Sequence, residues 1–140
     1  MLTLNKPGAQ FGKLNYVNAM TDVTGFGLLG HLVEMCEGSD LSAEIDFNSI
    51  PRFDFLEEYI QQKSMPGGTH RNWESYGSKI SVITEEQKSI LADPQTSGGL
   101  LVSVDAARSN EFEKFSAEQG IVLKSFGKLV RKQEKMICVK

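Results

Sequence analysis

From Leu28 onward, the apolar residues Leu28, Leu29, Leu32, Val33 and Cys36 recur at helical spacing. That spacing predicts an amphipathic helix, and Gly38 stands where it would stop. Leu41, Ala43, Ile45 and Phe47 then alternate with Ser42, Glu44 and Asp46. A period of two predicts a half-buried strand. Phe53, Leu56, Tyr59 and Ile60 point to a second helix, with Asp54 placed to cap it. Thr84-Glu85-Glu86-Gln87 has the form of a capping box, so a third helix starts there. It should end before Asp93-Pro94, because proline disfavours helix at the preceding residue. Residues 100–104 form a short apolar run, read as a strand buried on both faces. Asp105 or Ser109 can open a fourth helix that carries Phe112 and Phe115 and closes at Gly120. Residues 121–130 and 135–139 read as two strands joined by the charged turn 131–134. Residues 1–18 are polar and turn-rich, with Pro7-Gly8 and Gly12, and read as a lead-in. The order of elements predicts an α/β or α+β domain over 19–140, with helices packed on a mixed sheet. Neither a repeat nor a low-complexity tract breaks that stretch.

Size and charge narrow the class. The 140 residues are 40% hydrophobic and 24% charged, an ordinary balance for one globular domain. A net charge of −3 argues against a nucleic-acid partner. Nothing approaches the run of about 20 apolar residues that spans a bilayer. The first ten residues lack the apolar core of a signal peptide. Two cysteines are too few for a disulfide scaffold, and a reducing, cytoplasmic setting is expected.

The candidate chemistry lies in three glycine-bearing segments. The first, Thr21-Asp22-Val23-Thr24-Gly25-Phe26-Gly27-Leu28-Leu29-Gly30-His31, puts a carboxylate just before a glycine loop that opens a helix. A helix start offers free N–H groups to phosphate, and Asp22 could hold a divalent cation bridging phosphate oxygens. The plainer alternative is that Asp22 or Thr24 only caps the helix. Gly25, Gly27 and Gly30 match the dinucleotide glycine pattern only formally, lacking a preceding strand and a downstream acid in the pattern. His31 reads as a surface or packing histidine, since no second ligand follows at i+4. The second, Met65-Pro66-Gly67-Gly68-Thr69-His70-Arg71-Asn72-Trp73, reads as a long polar loop. It suits an anion or a partner surface, or it is a surface loop anchored by Trp73. The third, Asp93-Pro94-Gln95-Thr96-Ser97-Gly98-Gly99-Leu100, feeds a buried strand. It either presents backbone to a ligand or a neighbouring domain, or sets strand register. Gly98 or Gly99 is expected to adopt a backbone geometry closed to β-branched residues. Cys36 and Cys138 read as packing residues.

In this order and at these separations, the three segments resemble selenophosphate synthetase (selenide, water dikinase) over about residues 12–140. Aminoimidazole ribonucleotide synthetase, thiamine monophosphate kinase and a hydrogenase maturation protein are similar in fold. The Pro-Gly-Gly-Thr and Asp-Pro-Gln-Thr-Ser-Gly-Gly pair singles out the selenium enzyme. The resemblance implies a two-domain, Mg²⁺-dependent cytoplasmic enzyme that makes selenophosphate, AMP and phosphate from selenide, ATP and water. It implies that this chain is the C-terminal domain alone, a fragment with a new start methionine. That domain is a three-layer α/β/α sandwich with a mixed sheet, partly ferredoxin-like. By motif, Asp22 corresponds to the one metal-binding aspartate that the C-terminal half donates. The reactive cysteine or selenocysteine, an essential lysine and the other metal-binding aspartates belong to the N-terminal domain. Cys36, Cys138 and Lys6 stand outside those motifs. Gly25, Gly27, Gly98 and Gly99 receive no catalytic role from the resemblance. The family dimerises largely through its N-terminal domain, so the full-length enzyme is expected to be a homodimer and the fragment a monomer without activity. The alternative is a freestanding module that binds a phosphate-bearing ligand or a protein.

Overall fold

A computed structural model describes residues 5–53, 56, 60, 62 and 66–140. The elements are α1 (Gly8–Phe11), β1 (Val17–Asp22), α2 (Gly27–Ser39), β2 (Leu41–Ile45), α3 (Gly67–Tyr76), α4 (Glu85–Leu91), β3 (Leu100–Val104), α5 (Ser109–Glu118), β4 (Gly127–Arg131) and β5 (Ile137–Val139). The class is mixed α/β, as the pattern predicts. The helix expected from Phe53 to Ile60, with its Asp54 cap, falls largely outside the described residues.

The strands form two hydrogen-bonded groups. β1 pairs antiparallel with β3, Asp22 opposite Leu100. β2 is the centre of a mixed three-stranded sheet, antiparallel to β4 and parallel to β5. The two C-terminal strands therefore flank β2 and do not pair with each other. β4 starts later than the predicted 121–130 because β2 ends at Ile45, opposite Gly127, and beyond that pair the Asp46 N–H makes one further bond, to the Phe126 carbonyl, before the chains part.

α2 is the central helix. Its Leu29, Leu32, Val33 and Cys36 join Ala43 and Ile45 of β2, Ile137 of β5, Leu91 of α4 and Leu101 of β3 in the main core. Leu29 and Leu91 are wholly buried. Each contributes about 1.5–3 kcal/mol by leaving water. The second cluster holds Phe11, Tyr16 and Phe112, with Leu100, Val102 and Val104 packed against it. β3 reads as continuously apolar because its two faces serve two cores. Residues read as a lead-in supply Phe11 and Tyr16, and the Phe11 ring meets the edge of Phe112 at 4.9 Å.

Helix ends follow local chemistry. Thr84 and Gln87 form the reciprocal capping box that opens α4, which stops before Asp93 as predicted. Asp105 accepts the Ala107 N–H in the short turn leading into α5. At α2 the prediction needs correction, because the helix runs through Gly38 to Ser39. Its left-handed cap is Asp40, with φ 54°. Aspartate is among the few residues besides glycine that tolerate this region, so Gly38 is not needed as a stop.

Candidate functional site: three segments in one junction

The three glycine-bearing segments meet at the N-terminus of α2. The second is not a loop: from Gly67 it is the first turns of α3, whose buried face is Thr69, Asn72 and Tyr76. That spacing of three and four residues marks one side of a helix, a signal hidden in the sequence by Pro66-Gly67-Gly68. Asn72 uses its amide nitrogen twice, donating to the carbonyls of Gly25 and of Ala92, each at 2.9 Å. Tyr76 donates its hydroxyl to the carbonyl of Phe26 at 2.7 Å. The Gln95 N–H reaches the Thr24 carbonyl at 3.0 Å. Val23 is held on both sides, donating to Gly99 and accepting from Gly98. Thr69 donates to the Asp93 carboxylate at 3.3 Å, and Gln95 donates to its other oxygen. Burial pushes the Asp93 carboxyl above the usual range, and those two hydrogen bonds oppose the shift.

Several glycines serve this contact. Gly27 has φ 70°, and a Cβ there would stand 2.8 Å from the Ala92 carbonyl carbon. A Cβ on Gly30, Gly68 or Gly98 would meet Phe26, Pro94 or Val23 at 2.5, 2.7 or 2.9 Å. Around Gly25 and Gly67 the space is open. The expected restriction in the third segment has two causes. Gly99 has φ 86°, while Gly98 is barred by its contact with Val23. Gly98→Val should therefore cost about 2–3 kcal/mol of stability through overpacking. Thr96→Val, at an exposed position, should change it by less than about 0.5 kcal/mol. Thermal unfolding of both variants checks this, and equal midpoints would contradict it.

Asp22 ends β1, exposed, in an open cleft of about 370 Å³ with Asn5, Met20, Thr21 and Leu100. Among the described residues its carboxylate has no hydrogen-bonding or ionic partner. It caps nothing: α2 begins at Gly27, its N-cap is Phe26 and no side chain caps it, so neither Asp22 nor Thr24 fills that role. No group of three His, Cys, Asp or Glu among the described residues could hold a metal ion. Asp22 thus offers one free carboxylate and no more.

His31 is buried, and its contacts are specific. Nε2 accepts the Thr24 N–H at 3.0 Å, and Nδ1 lies 3.1 Å from Glu34 Oε2. His70, in contrast, is exposed and lies 3.5 Å from Glu74 on the outer face of α3. Cys36 is wholly buried, and burial together with Glu37 pushes its thiol up to about 11. It stays protonated near neutral pH and is a packing residue.

The model of the AIR synthase related protein C-terminal domain matches residues 3–139. The chain belongs to that family. Relatives named selenide, water dikinase align along almost all of it. The Pseudomonas putida protein is 53% identical over 139 residues, covering 99% of this chain and 40% of that protein. The Bordetella bronchiseptica protein is 52% identical over 130 residues, 93% of this chain and 38% of its own length. This chain therefore spans about two-fifths of those relatives. Among solved structures, a thiamine-monophosphate kinase from Stenotrophomonas maltophilia superposes with a TM-score of 0.56 at 18% identity. The overlap covers 89% of this chain and 31% of that one, and shows a shared fold. Within this AIR synthase related domain, the junction fixes the main chain from Val23 to Phe26 while leaving Asp22 and Gly25 open. No described helix is long and apolar enough to cross a membrane.

Proposed function

We propose that this chain is the C-terminal part of a selenide, water dikinase, which converts selenide, ATP and water to selenophosphate, AMP and phosphate. The observation that carries the reading is the 53% identity to the Pseudomonas putida enzyme along 139 residues. The domain takes in α1 and the whole of β1 as well as residues 19–140, since Phe11 and Tyr16 belong to its second core cluster, and Asp22 is its contribution to the metal site. The Asp22 carboxylate fits that role because it is exposed and free of protein partners. Magnesium favours one or two carboxylates, with phosphate oxygens and water completing its shell. Bound there, Mg²⁺ would neutralise charge on the transferring phosphoryl group. The remaining acidic ligands, the nucleophile and the lysine belong to the N-terminal part of the cytoplasmic, homodimeric full-length enzyme. The Asp22 cleft and the open main chain at Gly25 form the face this domain turns toward ATP.

The 140 residues alone should neither hydrolyse ATP nor bind Mg-ATP tightly. One carboxylate holds a hydrated magnesium weakly. Calorimetric titration of the purified chain with Mg-ATP is the test, and no micromolar binding is expected. Micromolar binding, or turnover lost on Asp22→Asn, would show a complete nucleotide site and overturn the division of labour between domains.

A further inference from the structure

An exposed turn of a glycine and an aromatic residue is ordinarily loose, yet here it is tied at every carbonyl. The carbonyls of Thr24, Gly25 and Phe26 are bound by Gln95, Asn72 and Tyr76. The N–H groups of Gly25 and Phe26 find no acceptor among the described residues. Phe26 is 53% exposed, and Gly25 faces open space. The turn thus directs its carbonyls toward the domain.

One tie differs in kind. The Thr24 N–H goes to a side chain, His31 Nε2, and the Thr24 hydroxyl lies 3.1 Å from the same nitrogen. A backbone N–H can only donate, so Nε2 must carry the lone pair and Nδ1 the proton. Nδ1–H then donates to Glu34, which sets the ring's orientation. The Phe26 ring centroid lies 5.8 Å from that of the imidazole. A histidine that only fills space needs none of this polarity.

We propose that His31 is a positioning residue: through the Thr24 N–H it fixes the Thr24–Phe26 turn beside Asp22, so that the turn meets bound Mg-ATP in one conformation. The proposal rests on the reading of Asp22 as a metal ligand in a selenide, water dikinase. Losing the tie leaves the Thr24 N–H without an acceptor and loosens the Thr24 peptide between Val23, which stays paired with Gly98 and Gly99, and the bound carbonyls of the turn. The consequence falls on binding of Mg-ATP more than on the chemical step.

The test compares two amides in the full-length enzyme. Glutamine at position 31 can place its amide oxygen where Nε2 sits, whereas asparagine reaches only the Nδ1 position. His31→Gln should keep the wild-type KM for Mg-ATP within about twofold. His31→Asn should raise it about tenfold, with kcat per folded enzyme within about twofold. A purely structural role would lower the folded fraction and leave KM alone. Equal KM values for the two variants would overturn the proposal. Asp22→Asn is the reference: if its KM shifts and that of His31→Asn does not, the positioning role fails and the metal reading stands. If Asp22→Asn keeps both the wild-type KM and the wild-type turnover at limiting magnesium, the metal reading fails and the proposal falls with it. Nitrogen NMR of the unmutated chain gives a readout that needs no variant to fold. Nδ1 protonated and Nε2 bare is expected, and the reverse tautomer would refute the tie.

Discussion

Asn72→Asp should destabilise the domain by about 3–5 kcal/mol, the largest effect expected from a single near-isosteric change. The side chain is 8% exposed and gives both amide hydrogens to main-chain carbonyls. Its replacement removes both donors without leaving a cavity. Each carbonyl left unpaired costs about 1–3 kcal/mol. A carboxylate in the same place also turns its charge toward two oxygens it cannot bind. Asn72→Ala loses the same hydrogen bonds but adds no charge, so a smaller loss of about 2 kcal/mol is expected. Denaturant unfolding at neutral pH checks the pair. The midpoint should fall in the order wild type, alanine, aspartate, with an unchanged slope. An aspartate variant within about 0.5 kcal/mol of wild type would mean that the three segments are not joined through Asn72.

The periodic parts of the chain were legible and the junction was not. α2 and β3 follow directly from apolar spacing, and α4 from the Thr84 capping box. β2 follows only as far as Ile45, since Phe47 lies in the short turn Phe47–Ser49 and Ser42, on the polar side of the alternation, is buried. β1 was hidden because its pairing with β3 shifts register between Val17 and Ala19. A bulge of this kind breaks the alternation on which a strand is read. α3 was hidden because glycines at its start read as turn, although Gly68 is there to admit Pro94. The glycine clusters stand out in the sequence, but local turn chemistry accounts for only part of them. Gly27, Gly30, Gly68 and Gly98 permit contact between segments, a long-range property that no local pattern encodes. For His31 the sequence suggests a surface or packing histidine; it is buried, and its bond to Thr24 is not legible because that partner precedes it by seven residues across the start of the helix. The free carboxylate of Asp22, by comparison, needed only the motif to be noticed.

Asp22→Asn should lower selenide-dependent ATP consumption of the full-length enzyme about 100-fold at limiting magnesium, equivalent to about 2.7 kcal/mol. The substitution removes one negative charge from the metal's ligand set. Asparagine keeps the size of the side chain, and Asp22 makes no side-chain hydrogen bond or ion pair among the described residues to lose. Unfolding midpoints should therefore match within about 0.5 kcal/mol. Part of the activity should return at high magnesium, because a weakened site still fills by mass action. The direct measurement is selenide-dependent ATP turnover as a function of magnesium for wild type and Asp22→Asn, side by side. A deep loss at limiting magnesium with unchanged stability is the predicted result; wild-type turnover across the whole magnesium range would contradict the assignment of Asp22 to the metal site.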